Sequence, residues 1–151
     1  MQTLRLCLLL LLLTPAPLLM NGTARAQSSC AIDVRKPETL ILSGRLTYKI
    51  FPGPPNYEDV RKGDRPEGAF ILQLDKPACA TIALGNEAPH DTDMFSTVHL
   101  LFDGNNDILR QLRSLKGRHV TVEGENGDEA MTGHHHAPFI MDVKTIRADK
   151  K

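Results

Sequence analysis

The chain has no tryptophan and, among 151 residues, only two tyrosines and five phenylalanines. Platforms that stack sugars or single-stranded bases need more aromatic surface than that. It also lacks a charge surplus, with 18 Lys and Arg against 18 Asp and Glu. Without a basic excess to neutralise phosphates, no nucleic-acid partner is expected. The motifs that announce common chemistries are missing too: there is no GxSxG elbow, no HExxH and no P-loop. After residue 20 no segment is apolar enough to cross a bilayer.

What is present begins with an address. Arg5 precedes an apolar run from Leu6 to Met20, broken by Thr14 and containing six consecutive leucines, Leu8 to Leu13. Asn21 to Ala26 follows, ending in the small-x-small pattern that signal peptidase reads. Residues 1–26 are therefore expected to be a secretory signal peptide cleaved after Ala26. No membrane insertion is expected after cleavage. Cys30 lacks the preceding leucine of a lipid-anchoring site, so the mature protein is read as soluble and exported, periplasmic or extracellular. Export removes Arg5 and Arg25, leaving 16 basic against 18 acidic residues and a net charge of −2. About 125 residues remain, enough for one domain with its own core.

Cys7 leaves with the leader, and Cys30 and Cys79 remain as an even pair in an oxidising compartment. A disulfide between them is expected. It would close a loop of roughly 50 residues, worth ~4 kcal/mol in the chain-entropy model, and tie the N-terminal arm to the end of a strand. It also leaves no free thiol as a nucleophile.

Period-two alternation marks the strands. Leu40, Leu42, Gly44, Leu46, Tyr48 and Ile50 share one parity, while Ser43, Arg45, Thr47 and Lys49 share the other. Gly44 in the middle predicts a bend or bulge. Further strands are expected at Ala69–Leu74, at Thr97–Phe102, at Arg118–Gly124 and at Phe139–Ile146. Their inward residues are Phe70, Leu72 and Leu74, then Val98, Leu100 and Phe102, then Val120 and Val122, and finally Phe139, Met141 and Val143. Cys79–Leu84 is a short possible continuation of the second. His99, His119, Thr121 and Glu123 face the other way. One helix lies before the fourth strand, capped by Asn105 or Asn106, with Ile108, Leu109, Leu112 and Leu115 on one face and Gly117 past its end.

The order β-β-β-α-β-β is that of a small OB-like five-stranded barrel, mainly β with one short helix. Another small barrel or a sandwich is the runner-up. The expected organisation is a signal peptide at 1–26, an arm at 27–38, the OB-like domain at 39–147 and a tail at 148–151.

In an OB-fold the loops after the first and fourth strands flank the usual binding face. Here they are Phe51–Gly68, "FPGPPNYEDVRKGDRPEG", and Glu125–His136, "ENGDEAMTGHHH". Both are long, and long loops in compact domains tend to be functional. Pro52, Pro54 and Pro55 stiffen the first, whose Tyr57 and Glu58 are candidate ligand-binding residues. In the second, His134 and His136 are the candidates. If the last strand began early, these two would share a face, with His135 turned inward to support the fold. Neutral imidazole also suits Zn or Cu. A metal set of His134 and His136 completed by His90, Asp91 or His119 is therefore kept as a possibility, although no spacing matches an established motif. Otherwise no cofactor is expected. The bland alternative has the imidazoles fixing a turn at Thr132-Gly133. Glu58-Asp59 and Asp128-Glu129 read as solvated surface, and no enzymatic constellation is assembled by spacing alone.

Two stretches, "GRLTYKIFPGPPNYEDVRKGDRPEGAFILQLDKPAC" and "LKGRHVTVEGENGDEAMTGHHHAPFIMDV", resemble the bacterial exported family catalogued as domain of unknown function 4431. The resemblance covers roughly Leu40 to Ile146. It implies an exported bacterial protein and brings no activity or catalytic residues with it. The expected function is a small, non-enzymatic binding module for an unknown ligand. A periplasmic metal binder and an inhibitor of, or adaptor for, an envelope protein are the alternatives.

Overall fold

The computed structural model describes residues 30–35, 39–83 and 86–149. The expected signal peptide lies outside these residues. The described chain forms strands β1 (Ile32–Asp33), β2 (Leu40–Pro52), β3 (Pro66–Ala78), β4 (Ala80–Ile82), β5 (His90–Asp91), β6 (Phe95–Leu101), β7 (His119–Glu129) and β8 (Phe139–Ala148), with one helix, α1 (Asn106–Leu115), between β6 and β7.

Five strands close into a barrel in the order β2-β3-β6-β8-β7. The β2, β3, β6, α1, β7, β8 order and the parallel β6–β8 pair are those of an OB-like barrel. The expected class is therefore the observed one, and the barrel is closed. β2 makes closure possible by pairing with β7 over Leu40–Arg45 and with β3 over Gly44–Pro52. Gly44 sits where both ladders meet, and a Cβ there would run into the Gln73 carbonyl oxygen. Only glycine lets the two backbones approach this closely.

The inward residues expected of β3, β6, β7 and β8 form the core, which Leu46, Ile82, Phe95 and Ile146 complete. Phe102 packs against it while partly buried. From α1, Ile108 and Leu112 enter the core, and Leu109 and Leu115 lie against it. The Asn105 side chain caps the helix by accepting from the N–H groups of Asp107 and Ile108. Gly117 past its end is left-handed, at φ 82°.

The Cys30–Cys79 disulfide is formed, with Cα atoms 5.1 Å apart. It fastens the N-terminal arm just beyond β3, and the arm adds β1 to a three-stranded sheet, β1-β4-β5, beside the barrel. The expected continuation of β3 after Pro77 is thus, at Ala80–Ile82, a separate strand, β4.

Three expectations need correction. Tyr48 and Ile50 share the parity of Leu46 yet are 43% and 57% exposed, because β2 runs on past the end of the β7 ladder. Strand β7 continues to Glu129, with register shifts at Glu123/Gly124 and Glu125/Asp128 that absorb its polar run. The second loop is therefore 130–138 rather than 125–136. At the C-terminus, Ala148 still belongs to β8, and Asp149 is tied to His119 and Thr121 by side-chain hydrogen bonds.

Candidate functional site

The loop between β2 and β3, residues 53–65, is organised from within. Asp64 is only 4% exposed. Its carboxylate accepts from the backbone N–H groups of Asn56 (2.9 Å), Glu58 (2.8 Å) and Asp59 (2.9 Å), and from the Asn56 side chain. These donors, the Glu58 N–H foremost, hold the Asp64 carboxyl below the usual carboxylate range. A short 3-10 turn, Val60–Lys62, is capped by Asp59 and stopped by left-handed Gly63.

Within this frame Tyr57 is held at φ 60°, a left-handed backbone that costs a non-glycine residue roughly 1–2 kcal/mol. Its N–H donates to the Gly53 carbonyl at 3.0 Å, which helps offset that cost. The strain aims the phenol at the second loop. The Tyr57 hydroxyl lies 2.9 Å from Nε2 of His134. On the other side of that ring, Nδ1 lies 2.9 Å from each oxygen of Glu67 on β3. In the tautomer whose Nδ1–H donates to the carboxylate, Nε2 is the acceptor for the Tyr57 hydroxyl. Gly133 lets the loop lie against the Tyr57 ring, where an added Cβ would come within 2.8 Å of a ring carbon.

Glu67 also receives His136, whose Nε2 stands 3.3 Å from Oε2. Hydrogen bonding from His134 is the largest of the effects that hold Glu67 below the ordinary glutamate range, and His136 adds to it. The His136 side chain is only 8% exposed. Its ring stacks on Phe51 of β2 with centroids 4.3 Å apart and planes 1° from parallel. Its backbone N–H donates to Nδ1 of His99 on β6 at 3.3 Å. His99 is buried, and burial, followed by the nearby His136 and His135, pushes its pKa down to about 4. A neutral ring is also what the bond requires, since an accepting Nδ1 carries no proton.

The second loop therefore lies over the outer face of β3 and β6. Ala137 is buried there against Ala69 and Ile71, with Phe51 beside them. Next to it, a cleft of about 310 Å³ is lined by Gly68, Ala69, His99, Leu101 and Asp142 among others. The two loops thus meet at one end of the barrel as one bonded surface.

Of the expected ligand residues, Tyr57, His134 and His136 come together. Glu58 joins through its backbone, on Asp64. The histidine run precedes β8 in a turn, so strand parity does not govern it. His135 Nδ1 accepts the Met131 N–H at 2.9 Å and stabilises that turn.

The expected metal set is dispersed. His119 lies between Asp75 and Asp149, at 2.7 Å from each, and these carboxylates raise its pKa, Asp75 most. It pairs with Arg45 on β2, whereas Glu67 pairs with Phe51. Six residues along one strand put them roughly 20 Å apart. His90 faces Glu129 at 3.7 Å, and Asp91 accepts from Thr81 at 2.6 Å. Among the described residues no three His, Cys, Asp or Glu side chains are placed to hold a metal.

The sequence reading missed Glu67, His99 and Phe51. A signal for them existed: Ala69-Phe70-Ile71-Leu72 is apolar at both parities, which marks a strand covered on both faces. Something had to lie over Ala69 and Ile71, and the histidine loop does.

Residues 97–147, from β6 into the end of β8, match the model of a family described as a domain of unknown function, DUF4431. The likeness covers this stretch, about a third of the chain. The match begins at Thr97, so the proline-rich loop and Glu67 precede it, while His99, His134 and His136 fall inside. The matched segment thus supplies the imidazoles, and the residues before it supply the phenol and the carboxylate that they meet. No curated protein matches the chain.

Proposed function

We propose that this protein is a small exported binding module, without catalysis of its own, whose recognition surface is formed by the two joined loops. The observation that carries the reading is the chain of contacts Tyr57–His134–Glu67–His136. It fixes both loops before any ligand arrives, and preorganised groups bind without a further ordering cost. The surface offers a phenol, an imidazole and a carboxylate at its rim, with the His99 cleft on its flank. The strained Tyr57 backbone supports a role beyond packing, because such strain is concentrated at functional positions.

The phenol, imidazole and carboxylate could relay a proton, but the phenol's hydrogen bond is already directed at His134. We read the relay as the clasp that shapes the surface. Export rests on the leader pattern of residues 1–26. No helix among the described residues is long and apolar enough to cross a membrane.

Two measurements test the reading. Expression with the native leader in a Gram-negative host, followed by N-terminal sequencing of the periplasmic fraction, should give a chain starting at Gln27. An NMR screen of the mature protein against a fragment library should move amides of residues 53–68 and 130–138. Hits that map consistently elsewhere, or a chain retained uncleaved in the cytoplasm, would overturn the corresponding half.

A further inference from the structure

The hairpin whose outer face carries the histidine loop has a second, open side. Strand β2 pairs with β3 as far as Pro52, but with β7 only to Arg45. The last backbone bonds on the β7 side are Leu46 N–H to the Arg118 carbonyl (2.9 Å) and Gly117 N–H to the Leu46 carbonyl (2.8 Å). Both polar groups of Leu46 thus point that way. Backbone direction alternates along a strand, so the N–H and C=O of Tyr48 and Ile50 also point to that side, where the described residues offer no further strand.

An open edge of this kind is a template for another strand, and folded proteins usually protect it with charge, bulges or cover. Here the two residues that carry the free groups are exposed and apolar. Tyr48 leans on Phe70, with ring centroids 4.9 Å apart. These two rings, with Arg113 and Lys116 of the α1 end, line a slot of about 200 Å³. Among the described residues, neither Arg113 nor Lys116 forms an ion pair.

We propose that the Tyr48–Ile50 edge of β2 binds an extended peptide by antiparallel strand addition, with the peptide's carboxyl-terminal carboxylate received by Arg113 and Lys116. The direction follows from charge. β2 leaves the helix end at Leu46 and runs toward Pro52, so an antiparallel guest runs back and finishes beside the two cations. A parallel guest would bring its ammonium end there instead. Backbone bonds to Tyr48 and Ile50 supply affinity, and alternate apolar side chains of the guest cover the Tyr48 and Ile50 side chains. Pro52, with no N–H, ends the edge. This surface is independent of the joined loops, so either proposal can fail alone.

The test is selection of a C-terminally displayed random peptide library on the mature protein, with Ile50→Pro as counter-bait. Proline there removes a donor on the free edge and leaves the β3 ladder its bonds. Enriched peptides should show apolar residues at alternate positions and should protect the Tyr48 and Ile50 amides from hydrogen exchange. The best of them, made synthetically, should lose about tenfold in affinity on Ile50→Pro, on Arg113→Glu/Lys116→Glu, and on amidation of its own carboxyl terminus. The double variant lies outside every strand ladder, so it still decides if the proline variant folds poorly. Peptides that bind Arg113→Glu/Lys116→Glu as well as wild type overturn the proposal. Protection of Tyr48 and Ile50 that rises with protein concentration alone also overturns it, in favour of pairing between two copies of the chain.

Discussion

The hydroxyl of Tyr57 and Nε2 of His134 lie 2.9 Å apart although 77 residues separate them in the chain. This contact joins the loop that leaves β2 to the loop that enters β8. Glu67 extends it by taking both His134 and His136. The two loops that flank the usual OB-fold ligand face are thus bonded to one another here, and one of them lies on that face.

The clasp should behave as a coupled pair. Tyr57→Phe removes the phenol hydrogen bond, and His134→Ala removes both ends of the imidazole. For a partly exposed bond each change should cost about 1 kcal/mol or less, and the double variant less than the sum. Urea denaturation of the four proteins of the cycle measures this. Strict additivity would show that the contact contributes nothing to holding the loops together.

Asp64 should be the residue on which the first loop depends. Its carboxylate gathers three backbone N–H groups, and Asp64→Ala leaves all three without that partner. Hydrogen exchange of the Glu58 and Asp59 amides should accelerate by about tenfold or more, with the barrel core unaffected. The direction of the Asp64 shift adds a pH dependence. Its folded pKa is lowered from 3.8, so its contribution is present above that value and is lost as pH falls through the folded pKa. Equal exchange rates in wild type and variant would remove Asp64 from this role.

The barrel was legible because its signals are local. Alternation in β2, β6 and β8, the Asn105 cap and Gly117 all sit within a few residues of what they specify. Gly44, read as a bend or bulge, marks instead the point where β2 changes partner. The site was half legible. The chain order of strands brought the two loops to one end, where Tyr57 and His134 touch and His134 and His136 share Glu67. Glu67 and His99 could not be reached in the same way, because their roles depend on the register between β2, β3 and β6. His119 was misplaced for the same reason, since lying on a neighbouring strand says nothing about which end of the barrel a residue occupies.

Gly44→Ala tests the closure of the barrel. The new methyl would meet the Gln73 carbonyl at a backbone-to-backbone contact with no flexible side chain to yield. Overpacking of this kind costs about 1–3 kcal/mol or more, and both the β3 and β7 ladders would feel it. A clear fall in Tm, with faster exchange of Leu46 and Val120 amides, is expected. An unchanged Tm would mean that β2 can shift to accommodate the methyl.

Metal titration separates the dispersed candidates. His119 is held by Asp75 and Asp149, roughly 20 Å from the histidine loop on strand spacing, so the two cannot share one ion. In calorimetric titrations with Zn²⁺ and Cu²⁺, His119→Ala should bind as wild type does. Glu67 already serves two imidazoles, so His134→Ala/His136→Ala should also match wild type, with both weak. Tight one-to-one binding lost in that double variant would restore the metal reading.

Acid stability should report on His99. Its pKa is about 4 in the folded protein, against 6.5 for an ordinary histidine. Between those values the unfolded chain binds more protons at this site than the folded one, so stability rises with pH across the window and its contribution is complete above about 6.5. Acidification from pH 7 to 4 should therefore lower Tm, and His99→Gln should flatten that part of the profile. His119 works in the opposite direction. Its pKa is raised by Asp75 and Asp149, so its contribution is complete below 6.5 and is lost as pH rises through the folded value. His119→Gln should therefore lower Tm at pH 5 more than at pH 9. A His99→Gln profile as steep as wild type between pH 4 and 6.5 would show that His99 is not held neutral. In that case Nδ1 would not be accepting the His136 N–H that anchors the histidine loop to β6.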